Sequence, residues 1–151
     1  MKRKDAKSRG GERKASPEDT DRLIAELAAF RHSLRKFLRF SENAARSFGI
    51  TPQQHQLMLG VAGFTGRGSA TVSELAEFLQ ERLHSVVGLV ERAEQRGLIQ
   101  SRKSEEDRRV VVVSLTASGG RILRELSELH RQQAASLQLL TGANRRNSGS
   151  G

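Results

Sequence analysis

The chain contains no cysteine, no tryptophan and no tyrosine, and only two prolines. Without cysteine there is no disulfide frame, no thiolate metal site, no thiol nucleophile and no thiol redox switch. No apolar run approaches the roughly 20 residues that span a bilayer. The opening MKRKDAKSRG lacks the apolar centre of a secretory signal, so a cytoplasmic location is the expectation. Catalytic constellations are missing too. There is no Gly-x-x-x-x-Gly-Lys phosphate loop. Ser85 directly follows His84, and adjacent positions on a helix do not face each other. Glu81 and His84 have the Glu-x-x-His spacing of carboxylate di-metal bundles, which need a second copy, and no other histidine here has a glutamate three residues before it. The expectation is therefore no enzyme, no metal and no cofactor.

Lysine and arginine are abundant. The formal net charge is +9, from 26 basic and 17 acidic residues. Residues 1–16 hold seven basic and two acidic side chains, so +5 of the excess, and the remaining 135 residues carry +4. Such a block is a solvated, disordered tail or a non-specific arm on phosphates, whose affinity falls steeply with salt. The aromatic residues are six phenylalanines, all between Phe30 and Phe78, which places aromatic packing in the N-terminal half.

Helix-start signals punctuate the chain. Ser16-Pro17-Glu18-Asp19 offers a capping hydroxyl, proline at the first helical position and acids in the first turn. Leu23, Leu27, Phe30, Leu34, Phe37, Ser41, Ala44 and Phe48 then recur at alternating spacings of four and three, a heptad-like stripe ending at Gly49. Thr51-Pro52-Gln53-Gln54 opens a second helix running to about Phe64, with Leu57, Met58, Val61 and Phe64 inward. After a flexible GRGS turn, Thr71 and Glu74 form a capping box for a short helix, 72–79. A break at 80–82 leads to a fourth helix, 83–96, capped by Gly97. The period then changes: 98–102 and 110–115 read as strands around the charged loop 103–109, a hairpin. Thr116 opens a last helix, where Gly119-Gly120 costs roughly 1 kcal/mol each relative to alanine and leaves the start open to shift.

The order is helix, helix, short helix, helix, hairpin, helix. The pair 72–79 and 83–96 makes a helix-turn-helix, and the hairpin behind it makes a wing, so the fold class is mainly α with a small β-hairpin wing. A recognition helix fits the major groove of B-DNA. A charged hairpin tip beside it, here Arg102, Lys103, Arg108 and Arg109, can reach phosphates or the minor groove. His84 and Ser85 can hydrogen-bond base edges, and Val87 can touch a thymine methyl.

The run SEEDRRVVVVSLTASG at 104–119 resembles the wing signature of the MarR (multiple antibiotic resistance regulator) family, D-x-R, a strand, then L-T-x-x-G. ATVSELAEFL and HSVVGLVERAEQRGLI are similar to that family's helix-turn-helix, and Ile50–Gln54 to the opening of its second helix. The resemblance covers about 20–140. It implies a homodimer joined through the first and last helices, 16–48 and 117–140, around a winged helix-turn-helix at 51–115, all within one domain at 16–141, with flexible tails at 1–15 and 142–151. It further implies a transcriptional regulator, a repressor, bound to a pseudo-palindromic double-stranded operator. His84, Ser85, Val87, Gly88, Arg92, Arg102, Lys103, Arg108 and Arg109 are its DNA-contacting residues. Thr71 and Ser73 meet phosphates at a helix start, Asp107 braces the wing through a basic neighbour, and Arg109 enters the minor groove. A small aromatic ligand would sit in a cleft near Phe30, Phe37, Phe40 and His55. The chain departs from the family at Ser101, where arginine is frequent, and at Val87 and Gly88, where threonine and arginine are frequent. These departures keep a second reading open: a winged-helix module that binds nucleic acid without sequence preference, or a protein partner.

Overall fold

The computed structural model describes residues 14–137, with side chains through residue 133. Expectations for the basic tail before residue 14, for the tail from 142 and for the end of the last helix lie outside the described residues.

Helix α1 spans Pro17–Ser47, followed by α2, Pro52–Leu59, which runs on into a wider π-type turn, Gly60–Phe64. Strand β1, Ser69–Thr71, leads into α3, Val72–Leu79, and α4, Leu83–Gln95. Strands β2, Ile99–Lys103, and β3, Val111–Leu115, form the hairpin, and α5 covers Ala117–Leu137. The capping box expected at Thr71 forms, and the helix starts expected at Ser16 and Thr51 prove to be capping boxes as well. Ser16, Thr51 and Thr71 each accept from the backbone N–H three residues on, and Asp19, Gln54 and Glu74 reach back to the cap N–H. Each such cap contributes about 1 kcal/mol and fixes where its helix begins.

Two features depart from expectation. First, the sheet has three strands, ordered β1-β3-β2, because Ser69–Thr71 pairs antiparallel with β3 through Ala70 opposite Val113. The residues after the GRGS turn are thus ladder, not loop. Second, Phe64 is 47% exposed rather than inward. A π-type turn takes one more residue than an α turn, so its last side chain rotates off the buried face. Phe64 lies instead against Phe78, with ring centroids 5.3 Å apart.

The core gathers Leu57, Met58, Val61, Leu75, Val86, Ile99, Val113 and Leu126, all buried. Gly60 lets α2 approach α3: a Cβ there would stand 2.6 Å from the Phe78 ring. Gly119 is tighter still, since a Cβ would overlap the Leu98 carbonyl oxygen. The glycine that looked costly for a helix is what allows α5 to start hard against the beginning of β2. Thr116 completes that joint. Its hydroxyl accepts from the Gly119 N–H at 3.0 Å and lies 2.6 Å from the Gly97 carbonyl, to which it donates.

Candidate nucleic-acid interface

Helix α4 buries Val86, Val90 and Ala93 and turns its opposite side outward, where Leu83, His84, Ser85 and Val87 are exposed in the first turns. Gln80, in the left-handed region at φ 52°, makes the tight break that aims α4 away from α3. Two ties fix its far end. The Arg96 guanidinium donates to the Gly49 carbonyl at 2.6 Å. The Glu94 carboxylate accepts from the Ser101 N–H at 2.8 Å and from its hydroxyl at 2.9 Å, linking α4 to β2. Serine at 101 is thus part of the joint between helix and wing. Glu94 was not singled out from sequence, where it reads as one more surface charge.

Arg102, Lys103, Arg108 and Arg109 are all exposed on the hairpin. The tip is closed by the Ser104 N–H to the Val110 carbonyl at 2.8 Å and the Val110 N–H to the Asp107 carbonyl at 2.9 Å. Asp107 finds its basic neighbour in Arg109. Oδ1 accepts from the Arg109 backbone N–H and from Nε, and Oδ2 from the other arm of the guanidinium, each at 3.1 Å. That side-chain pairing, then the backbone N–H, holds the Asp107 carboxyl below its usual range. Arg109 remains 91% exposed, so the pair orients the guanidinium without hiding it.

At the start of α3, Ser73 is exposed. Thr71 is engaged locally: its N–H donates to Glu74 at 2.8 Å and its hydroxyl accepts from the Glu74 N–H at 3.1 Å. Glu74 in turn takes the Arg67 guanidinium at 2.7 Å, and this contact, then the Thr71 N–H, lowers its pKa.

The cleft differs from the expected one. A cavity of about 470 Å³ opens between α1, α2 and α4, lined by Leu38, Ser41, Gln56, Val86, Leu89 and Arg92 among others. None of Phe30, Phe37, Phe40 or His55 lines it. Phe37 and Phe40 lie on the side of α1 that faces α5, with centroids 5.8 and 5.4 Å from the ring of His130. His55, from α2, completes that group at 5.1 Å. Phe30, two turns earlier on α1, is 55% exposed and stands apart from it. Of the α1 stripe only Ser41 reaches the cavity, beside Leu38 and Glu42 from outside the stripe. Arg92 borders the cavity, and its guanidinium folds back over Gly88, within 3.2 Å of where a Cβ would be.

The histidine group has its own chemistry. His130 Nδ1 is 2.6 Å from the Leu126 carbonyl, which only accepts, so Nδ1 carries the proton. Nε2 lies 2.8 Å from the Ser41 hydroxyl, within hydrogen-bond reach. His55 is 1% exposed, and its Nδ1 has no hydrogen-bond partner. Burial, then the neighbouring His130, pushes the His55 pKa down from 6.5 to about 4. The two residues are 75 positions apart in the chain, and nothing in the sequence pairs them.

A MarR family model matches residues 48–110, from the end of α1 to the last residue before β3. Residues 48–110, the helix-turn-helix and most of the wing, are thus similar to the MarR family. YfiV of Bacillus subtilis, an uncharacterized HTH-type transcriptional regulator, is 40% identical over 91 residues, covering 60% of this chain and 54% of YfiV. The chain spans about half the length of the curated relatives it matches. Among solved structures, the MarR family regulator AbsC of Streptomyces coelicolor shares the fold at a TM-score of 0.64 and 18% identity, over 83% of this chain and 82% of AbsC. A point mutant of MarR from E. coli, solved in complex with operator DNA, aligns at a TM-score of 0.61 and 20% identity, over 78% of this chain and 82% of that one. The mainly α fold with a winged-helix sheet is therefore that of MarR regulators. Among the described residues no helix is long and apolar enough to cross a membrane.

Proposed function

We propose that this chain is a transcriptional regulator that binds a double-stranded, pseudo-palindromic operator as a homodimer and represses by occupying it. The observation that carries the reading is the outward face of α4 standing beside a wing whose four basic side chains are all exposed. An α-helix of this size fits the major groove, and an arginine held by its own carboxylate suits the minor groove next to it. Dimerisation is supported by the apolar side chains left exposed on α1, Leu23, Ile24, Leu27 and Phe30. A twofold pair would place two α4 helices about one turn of DNA apart. The cavity bordered by Leu38, Leu89, Arg92, Glu42 and Glu81 suits a small molecule with an apolar body and polar groups, bound at the joint between the helical frame and the winged helix. Such a ligand would release DNA only if it binds the DNA-free arrangement more tightly.

The test is selection from random duplexes at two salt concentrations. An enriched inverted repeat supports the reading, and Arg109→Ala then weakens binding by about tenfold, as loss of a charge-assisted groove contact does. Binding without an enriched sequence, collapsing at the higher salt, transfers the protein to the second reading, a winged helix that holds nucleic acid by charge alone.

A further inference from the structure

Helix α4 exposes two large apolar side chains near its start, Leu83 at 53% and Val87 at 41%. They stand four residues apart, so they share one edge of the helix, about 6 Å apart along its axis. Eleven residues after Leu83, three full turns on, Glu94 lies on the same edge and reaches Ser101 of β2. The edge therefore faces the crevice between helix and wing. The opposite edge, with Ser85, Leu89 and Arg92, borders the cavity instead. Between the two edges the outward surface carries exposed His84 and Glu91. Gly88 has no side chain, and Arg92 is folded over it.

We infer that Leu83 and Val87 select DNA by contact with the 5-methyl groups of thymine, an inference that rests on the DNA-binding reading above. The argument is one of matching surfaces. Water-exposed apolar side chains on a helix that enters the major groove meet only one apolar group there, the thymine methyl. Base edges presenting only donors and acceptors would leave their hydrogen bonds unmatched against leucine and valine. The separation of about 6 Å corresponds to about two base-pair steps, so each half-site carries a pair of thymines at that spacing. Specificity at these two positions depends on shape and burial, beside any hydrogen bonds that exposed His84 and Ser85 make to base edges.

The experiment uses the full chain and the duplex recovered from selection, with each thymine replaced in turn by deoxyuridine, which removes the methyl and keeps every hydrogen-bonding group. Affinity falls about fourfold at one or two positions in each half-site, the value of burying one methyl-sized group, and is unchanged elsewhere. Leu83→Ala with Val87→Ala binds more weakly and no longer distinguishes thymine from deoxyuridine at those positions. Because both side chains are exposed, the variant keeps the parent's urea midpoint, which is measured alongside. Uniform indifference to deoxyuridine overturns the inference, as does a double variant that keeps the parent's discrimination. Failure to recover any duplex removes the DNA-binding reading itself and this inference with it.

Discussion

The two halves of α1 follow the same apolar rhythm and end in opposite environments. In the C-terminal half, Ser41, Ala44 and Ala45 are buried against α2 and α5. In the N-terminal half every residue from 17 to 32 is exposed, with Leu23, Ile24, Leu27 and Phe30 more than half so. The inner half packs small Ser41, Ala44 and Ala45 together with partly buried Phe40 and Phe48, whereas among the described residues the large apolar side chains of the outer half stay exposed. A helix of 31 residues is about 46 Å long, more than a small domain can cover. Periodicity states which side of a helix is apolar. It does not state whether the same chain supplies the cover.

The largest effect that would break this contrast lies in the exposed half. Leu27→Asp with Phe30→Asp lowers self-association on the order of a thousandfold, since two apolar anchors are lost from each protomer of a twofold interface. Sedimentation equilibrium over a dilution series reads this directly, and an unchanged association constant makes that half a plain solvent-facing surface. In the buried half, Leu57→Ala in α2 removes a fully buried side chain packed beneath α1 and lowers unfolding stability by about 2–5 kcal/mol. That loss relative to the parent is the same at every protein concentration, and a difference between the two midpoints that changed with concentration would assign Leu57 to the interface instead.

A comparable effect is expected from acid at the inner end of α1. Only the unfolded chain takes up a proton at His55 between its ordinary pKa of 6.5 and the folded value of about 4. The stability this confers is complete above about pH 6.5 and is lost as pH falls towards 4, up to about 3 kcal/mol in all. The neighbouring ring of His130 adds to this lowering after burial, while Phe37 and Phe40 carry no charge. Urea midpoints at pH 7 and 4.5 measure the slope, and His55→Phe should flatten it. A slope that survives the substitution places the titration elsewhere. The smallest effect is at the boundary of α2: Thr51→Ala removes the capping hydroxyl and lowers stability by about 1 kcal/mol without altering association.

What the sequence disclosed follows the range of each interaction. The helix-start signals at Ser16, Thr51 and Thr71 act over three residues and were legible, with the full capping box read only at Thr71. Val110–Val113 and Gly97 marked the wing and the end of α4 for the same reason. Strand β1 was not legible, because three residues after a glycine turn become a strand only when β3 is beside them. The turn at Gly60–Phe64 widens under the close packing of Gly60 on Phe78, a contact 18 positions away, and Phe64 moved outward with it. At the candidate site, the exposed wing arginines could be named from sequence. Leu83 could have been, since it precedes Val87 by one turn at the very start of a groove-sized helix. The walls of the cavity and the meeting of His55 with His130 depend on how three helices cross, which no local pattern encodes.

The contact between Gly119 and the Leu98 carbonyl has a mechanical consequence. With no space for a β-carbon between them, the first turn of α5 and the root of β2 form a joint without play. The strand beyond that joint is a lever about five residues long, roughly 16 Å from root to tip. A tilt of about 10° in α5 thus carries the wing's arginines about 3 Å, as far as the rise of one base pair, with no deformation of the sheet itself.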